Sequence, residues 1–180
     1  EIAAGVEASA RLLESRGARL MEIPLPAPLA HYRRAAGIIN PADSYSIHEA
    51  DFRERAAMMG QALRDKLTTG SMIRAGDVIA AHRLRRHLAR ATDALFGLCD
   101  LLLLPGAYRT APRFDDPAAV IAFTREGAMN IASLSGHPAI CTPCGFDAEG
   151  LPLNVQLMGP YFAEGRVLRA AQVIEDGLAD

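Results

Sequence analysis

The stretch PAICTPCGFDAEGLPLNVQLMG, residues 138–159, decides the fold, because it holds the clearest pair of strands in the chain. Two mainly apolar segments, PAICTPCGF and LPLNVQLMG, flank the tetrapeptide DAEG at residues 147–150. Aspartate and glycine are residues that tight turns favour. The sequence therefore predicts a β-hairpin within a larger sheet.

A third strand is predicted at DLLLLPG, residues 100–106. Four consecutive leucines without alternation indicate burial on both faces, as in the middle of a parallel sheet. Pro105 and Gly106 end this strand abruptly. A further short strand is predicted at residues 20–23, which follow an amphipathic helix and stop at Pro24.

Apolar residues recur at helical spacing through most of the remaining chain. Pro41 is expected to end one helix at Asn40, since proline disfavours helical backbone in the residue before it. The predicted helices cover residues 6–17, 27–40, 61–67, 75–98, 117–126 and 164–180, with another that begins at Asp43 or Ser44. Helices around these strands predict one α/β domain over residues 1–180, a mixed sheet with flanking helices.

Composition limits the classes of partner. Half of the 180 residues are apolar and the formal net charge is −2, which opposes disorder and a nucleic-acid surface. The densest basic segment, residues 82–90, spreads its charges around a helix. No apolar run approaches the roughly 20 residues that span a bilayer, so no membrane partner is predicted.

The ends and the cysteines indicate the setting. Three cysteines, an odd number, together with the lack of a signal peptide, indicate a reducing, cytoplasmic environment. The chain has no initiator methionine and its first residues are already helical in pattern. We therefore expect it to begin inside a larger protein.

The C-x-x-C spacing of Cys141 and Cys144, with His137 upstream, raises the question of a zinc or redox site. Side chains alternate faces in a strand, so cysteines three residues apart point to opposite sides. Zinc would need a tight turn between them, at Pro143, and a redox pair would need to begin a helix. The periodicity favours two small residues of a buried strand, and neither a metal nor a cofactor is predicted.

Other catalytic motifs fail at single residues. His48 and Glu49 begin the zinc-protease pattern H-E-x-x-H, but Phe52 stands where the second histidine is needed. No G-x-S-x-G nucleophile elbow, phosphate-binding loop or dinucleotide fingerprint occurs.

The segment SLSGHPAICTPCGFDAEGLPLNVQLMG, residues 133–159, resembles the amidase signature family. That family typically has N-L-T-G-x-P-A-x-S-x-P-C-G-F, a short turn and then G-L-P-x-G-x-Q-L-x-G. Upstream, DLLLLPGAYRTAP resembles D-x-L-L-x-P-T-x-x-x-x-A-P, and GARLMEIPLP resembles G-A-x-V-x-E-V-x-L-P. The resemblance covers essentially the whole chain and is strongest from residue 133 onward.

This resemblance implies the C-terminal portion of the amidase signature fold, from an enzyme that cleaves the C–N bond of carboxylic amides. The family uses a serine, a second serine in a cis peptide and a lysine. Those residues lie in a glycine- and serine-rich region that this chain lacks, so no catalytic residue is predicted here. Lys66 is the only lysine in the sequence.

The resemblance also suggests residues that bind substrate. In the amidotransferase members of the family, an arginine and an acid from this part hold glutamine. Arg64, or Lys66, and Glu126 fall near those positions, although both are equally explained as charges on helix surfaces. Glu126 replaces an aspartate, Ser133 an asparagine and Gly106 a threonine of the family pattern.

Two hypotheses follow for function. The first is the C-terminal part of an amide hydrolase, inactive alone, with a small-molecule amide as substrate of the complete enzyme. The second is a free-standing, non-catalytic binding or regulatory module derived from the same family. Because a partial sheet exposes an apolar face, we also expect a homodimer or association through that face.

Overall fold

The computed structural model describes residues 1–126 and 129–179, with the side chains of residues 125, 126 and 179 outside that description. The described helices are α1 (Ile2–Ser15), α2 (Leu29–Arg55), α3 (Gln61–Ser71), α4 (Ala75–Asp93), α5 (Pro117–Glu126), α6 (Asn130–Ser135) and α7 (Glu164–Ala179). Short 3-10 turns follow α2 at Ala56–Met58 and α4 at Ala94–Gly97. The strands are β1 (Leu102–Pro105), β2 (Ala139–Phe146) and β3 (Pro152–Met158).

The predicted hairpin is confirmed. Strands β2 and β3 pair antiparallel from Ala139 opposite Met158 to Phe146 opposite Pro152, with a register shift between Pro143 and Gly145. The side chain of Asp147 holds the turn, since its Oδ1 accepts hydrogen bonds from the backbone N–H groups of Glu149 and Leu151 at 2.9 and 2.8 Å. The turn chemistry of DAEG thus fixes the hairpin.

Strand β1 lies on the other side of β3, so the described sheet has the order β1–β3–β2. The burial of both its faces is confirmed, because Leu102 and Leu104 pack into one core and Leu101 and Leu103 into a second. The parallel pairing expected for this strand is wrong in the described sheet, where β1 runs antiparallel to β3. A run of leucines reports burial on two faces but carries no information on the direction of the neighbouring strand.

The sheet separates two apolar cores. On one face, helices α2, α4 and α6 pack over Leu102 and Met158, and on the other α1 and α7 pack over Val155 and Leu157. Met158 and Val155 are fully buried. The α/β class with flanking helices is therefore confirmed.

Helix α2 runs through Pro41, so the predicted stop at Asn40 and the predicted new helix at Asp43 or Ser44 are wrong. Proline inside a helix loses one backbone hydrogen bond and costs about 3 kcal/mol. Helix α2 packs against α3, α4 and α6. This packing outweighs the local cost, and no local pattern could show it.

Helix α3 also extends further than predicted, through the TTGS segment to Ser71. The hydroxyls of Thr68 and Thr69 donate to the carbonyls of Arg64 and Asp65, one turn earlier, at 2.8 and 2.9 Å. These hydroxyls are therefore satisfied within the helix. In the part of the chain that the structure describes, no helix combines the length and apolarity needed to cross a bilayer.

Residues 20–23 form no strand, so that prediction is wrong. Their composition suits a strand, but a strand needs hydrogen-bonding partners, and no described strand pairs with them. Their side chains line a cavity that separates them from β1.

Candidate functional site

One face of the sheet carries a polar cluster at the end of β1. It consists of Gly106, Cys141, Asn154 and Gln156, which we call the polar corner. The strand register creates it, because Gln156 of β3 lies between Leu104 of β1 and Cys141 of β2. On the same face of β2, Ala139, Cys141 and Pro143 are all exposed. The helices that cover Met158 thus leave this part of the sheet open.

Gly106 and Asn154 approach each other closely within the polar corner. The backbone N–H of Gly106 donates to the carbonyl of Asn154 at 3.1 Å. A Cβ at position 106 would lie 1.8 Å from Oδ1 of Asn154 and 3.4 Å from Sγ of Cys141. The side chain of Asn154 therefore occupies the space that any larger residue at 106 would fill.

Gln156 is the most buried polar side chain of the polar corner, with 4% of its surface exposed. Its Nε2 lies 3.8 Å from Sγ of Cys141, which is a long and weak contact. Its Oε1 has no hydrogen-bond partner among the described residues. A buried amide oxygen in this state is available to an incoming N–H donor.

Cys141 and Cys144 lie on opposite faces of β2, as strand alternation predicts. Cys141 is exposed beside Gln156, whereas Cys144 is buried in the core beneath α1, where a Cβ at Gly5 would lie 2.8 Å from its Sγ. Within residues 1–126 and 129–179, no group of three His, Cys, Asp or Glu side chains is arranged to hold a metal ion. The absence of a metal at the C-x-x-C pair stays a prediction.

The three thiols are expected to differ in their rates of alkylation. Burial raises the pKa of the Cys144 thiol, against a smaller lowering by Ser9, and burial followed by the charge of Asp100 raises that of Cys99. Only the thiolate reacts, so exposed Cys141 should be modified at least about tenfold faster than the other two near pH 8. Mass spectrometry after brief alkylation measures this order. A fast phase that survives Cys141→Ser would contradict it.

His137 forms a second polar cluster on the covered part of the sheet. Its buried side chain meets Oγ of Ser135 through Nδ1 at 2.9 Å and Oδ1 of Asp93 through Nε2 at 3.3 Å. The ring stacks on Tyr161 at 4.0 Å, and the Tyr161 hydroxyl donates to the carbonyl of Ser135 at 2.8 Å. Phe96 also contacts the imidazole.

The order of groups in this second cluster resembles a Ser-His-Asp triad, but the burial of its members opposes catalysis. Ser135 is 5% exposed, while the Asp93 side chain is 51% exposed, so the hydroxyl that would attack lies inside the protein. A nucleophile must be reachable by its substrate. We interpret the cluster as a structural link between α4, α6 and the loop before α7, which the scattered positions of these residues in the sequence did not reveal.

The two predicted substrate-binding residues lie on different helices. Arg64 of α3 donates through Nη1 to the carbonyl of Met59 at 2.7 Å and through Nη2 to Gln61, so its guanidinium joins the 3-10 turn to α3. Glu126 is the last residue of α5, and its side chain lies outside the described residues. Neither residue belongs to the polar corner, and their role in binding stays a prediction.

An apolar groove lies along β1. Its walls are residues 101–104 on one side, residues 20–23 on the other, and the inner face of α1, and its volume is about 910 Å³. In the described sheet, β1 pairs with β3 alone, so its other edge faces this groove unpaired. Leu20 and Met21, on the rim, are 43% and 51% exposed.

A protein-family model described as Amidase matches residues 1–168. The chain belongs to the amidase family. One curated relative of this amidase chain is the A component of the glutamyl-tRNA(Gln) amidotransferase of Synechococcus sp. (strain CC9605), at 33% identity over 202 aligned positions. The match covers 97% of this chain and 41% of the relative, so the chain spans about two fifths of the length of the curated relatives it matches.

Solved structures show that the amidase chain shares its fold with hydrolases. A 6-aminohexanoate cyclic dimer hydrolase superposes with a TM-score of 0.78 at 19% identity, covering 98% of this chain and 41% of the other. A bacterial aryl acylamidase of the amidase signature family gives a TM-score of 0.72 at 20% identity, covering 97% and 40%. At these identities the likeness establishes the fold, and the resemblance inferred from the sequence motifs is confirmed by the family match.

Proposed function

We propose that this chain is the C-terminal part of an amidase that hydrolyses the C–N bond of carboxylic amides. The observation that carries the proposal is the family match over residues 1–168, in a chain that spans only about 41% of an amidase-family relative. A serine nucleophile with a second serine and a lysine would lie outside residues 1–180. Lys66, the only lysine, lies on α3, away from the polar corner.

In this proposal the chain supplies one wall of the substrate cleft. The open face of β2, with its small exposed side chains, leaves room above the polar corner. Arg64 and Glu126 remain proposed substrate-binding residues, on the resemblance alone. For Arg64 this role would require its guanidinium to leave the carbonyl of Met59.

The apolar groove is the proposed contact with the rest of the amidase domain. A chain segment in extended conformation would pair with the free edge of β1 and fill the space beside residues 20–23. Such a segment would also supply the partner that residues 20–23 lack. The relatives extend well beyond the matched region, which is why we choose a segment of the same domain over a second copy.

We place this protein in the reducing cytoplasm. All three cysteines are free, which agrees with that setting. The proposed substrate is a small-molecule amide, and no cofactor is invoked.

Complementation tests the function and the groove together. The chain alone should show no amide turnover, whereas co-expression with the preceding part of its own reading frame should give turnover. Met21→Asp places a charge on the groove rim and should reduce turnover at least about tenfold, because burying an unpaired carboxylate is unfavourable. Met58→Asp, a matched change at a methionine that is 83% exposed, should leave turnover unchanged.

Each outcome of this experiment has a distinct meaning. Turnover by the chain alone contradicts the assignment of catalysis to absent residues. Equal turnover in both aspartate variants removes the groove as the contact. A dimer of the chain in light scattering that Met21→Asp dissociates would instead assign the groove to a second copy.

A further inference from the structure

The polar corner contains hydrogen-bonding capacity that the described protein leaves unused. Gln156 is almost fully buried, and its Oε1 has no partner among the described residues. Folding normally pairs such atoms, because an unpaired buried acceptor is unfavourable. The position beside exposed Cys141, on the open face of β2, gives this oxygen a direction of approach for a ligand.

The pair Gly106 and Asn154 shows how space is distributed around that oxygen. The family pattern has threonine at position 106 and glycine at position 154, and this chain has the reverse order of sizes. The structure explains the exchange, since a Cβ at 106 would lie 1.8 Å from Oδ1 of Asn154. The exchange replaces a hydroxyl on β1 with a carboxamide on β3, two residues along the strand from Gln156.

We propose that Asn154 and Gln156 form a subsite that recognises a primary carboxamide of the substrate, an inference that rests on the proposed function and deepens it. Gln156 Oε1 accepts an N–H of the ligand, and Asn154 supplies both a donor and an acceptor. All four residues of the polar corner are uncharged in their usual states, so the subsite suits a neutral polar group better than a carboxylate or a cation. Gly106 keeps the Asn154 side chain in place by leaving it room.

Equilibrium binding tests the subsite without relying on turnover. The probes are propionamide and methyl propionate, which have similar shape, but only the amide donates N–H groups. In the full-length protein, propionamide should shift the side-chain amide NMR signals of Asn154 and Gln156, and the ester should bind more weakly. Gln156→Met should reduce propionamide affinity about tenfold, the loss expected for one hydrogen bond, with little change for the ester.

The control is Gln172→Met, because Gln172 lies exposed on α7 and bonds Asp176. It should leave both affinities unchanged. Equal binding of amide and ester by the wild type, or an unchanged preference in Gln156→Met, overturns the proposal. Amide binding without turnover by the full-length protein would remove the proposed function and leave the subsite intact.

The size exchange gives a second test that survives a folding defect in Gln156→Met. Gly106→Thr should displace the Asn154 side chain and lower the melting temperature, and Asn154→Gly should weaken propionamide binding about tenfold. The double variant Gly106→Thr/Asn154→Gly should recover the melting temperature and still bind propionamide weakly. Amide binding at the wild-type level in the double variant would show that Asn154 takes no part in recognition.

Discussion

Gly70→Ala is expected to lower the free energy of unfolding by about 2–3 kcal/mol, the range for forcing an extra carbon into a packed contact. Gly70 is buried in α3, where that helix crosses α2. A Cβ at this position would lie 2.2 Å from the carbonyl oxygen of Pro41 and 2.8 Å from Cβ of Tyr45. Both are held by a helix, so relief requires the two helices to separate.

The measurement is chemical denaturation, with Gly37→Ala as the matched control. Gly37 lies exposed within α2 and a Cβ there would meet nothing within 4 Å, so alanine should stabilise the helix by about 0.5–1 kcal/mol. The same substitution should therefore have opposite signs at two glycines of adjacent helices. Equal stabilisation at both positions would mean that α2 and α3 lie further apart than described.

The contact at Gly70 also explains why the sequence misled at Pro41. Local pattern predicts a helix end at Asn40, because the cost of an internal proline is a local quantity. What keeps α2 continuous is the packing of that turn on α3, about thirty residues further along the chain. A single sequence without its contacts holds no sign of that packing.

Where burial and turn chemistry are local, the sequence was sufficient. The β2–β3 hairpin, the long helix α4 and the covered faces of β1 all follow from short-range pattern, and the structure confirms them. Residues 20–23 have an equally suitable composition but no partner strand among the described residues. A strand is a property of a pair, so composition alone could not settle that segment.

The polar corner was visible only in part. Gly106 stood out as a departure from the family pattern, but its meaning depends on Asn154, which lies on a different strand. The cysteine spacing drew attention to Cys141 for the wrong chemistry, whereas its relevant neighbour is Gln156 across the hairpin. Register, which turns separate residues into one site, becomes readable only when the strands are paired.

Tyr32→Ala is expected to have the largest effect on stability, a loss of about 3–5 kcal/mol, as for other fully buried aromatic side chains. Tyr32 of α2 is 0% exposed and lies in the core with Leu88 and Ile131. Its hydroxyl pairs with that of Thr92 on α4 at 2.8 Å, so it joins two helices through packing and a hydrogen bond. Denaturation with urea measures the loss, and a cost below about 1 kcal/mol would contradict the described core.

A double-mutant cycle separates the two contributions. Tyr32→Phe keeps the ring but leaves the buried Thr92 hydroxyl without its partner, at a cost of about 1–3 kcal/mol. Thr92→Val should cost a similar amount for the same reason. The double variant Tyr32→Phe/Thr92→Val removes both hydroxyls and should be more stable than the sum of the single losses predicts.

The same tyrosine should make stability fall at high pH. Burial raises the pKa of Tyr32 above its ordinary value of 10.0, against a smaller lowering by the hydrogen bond with Thr92. The folded protein therefore keeps this proton at pH values where the unfolded chain has lost it. This contribution is fully present below about pH 10 and is lost as the pH rises through the raised pKa.

Comparison of wild type with Tyr32→Phe between pH 8 and 11 isolates this contribution. The thiols of Cys99 and Cys144 also have raised pKa values and lower stability in alkali, but they are common to both proteins. The difference in free energy of unfolding should stay constant up to about pH 10 and then narrow, because only the wild type loses the contribution of Tyr32. A difference that stays constant to pH 11 would mean that Tyr32 ionises as readily in the folded protein as in the unfolded chain, which its burial between α2 and α4 opposes.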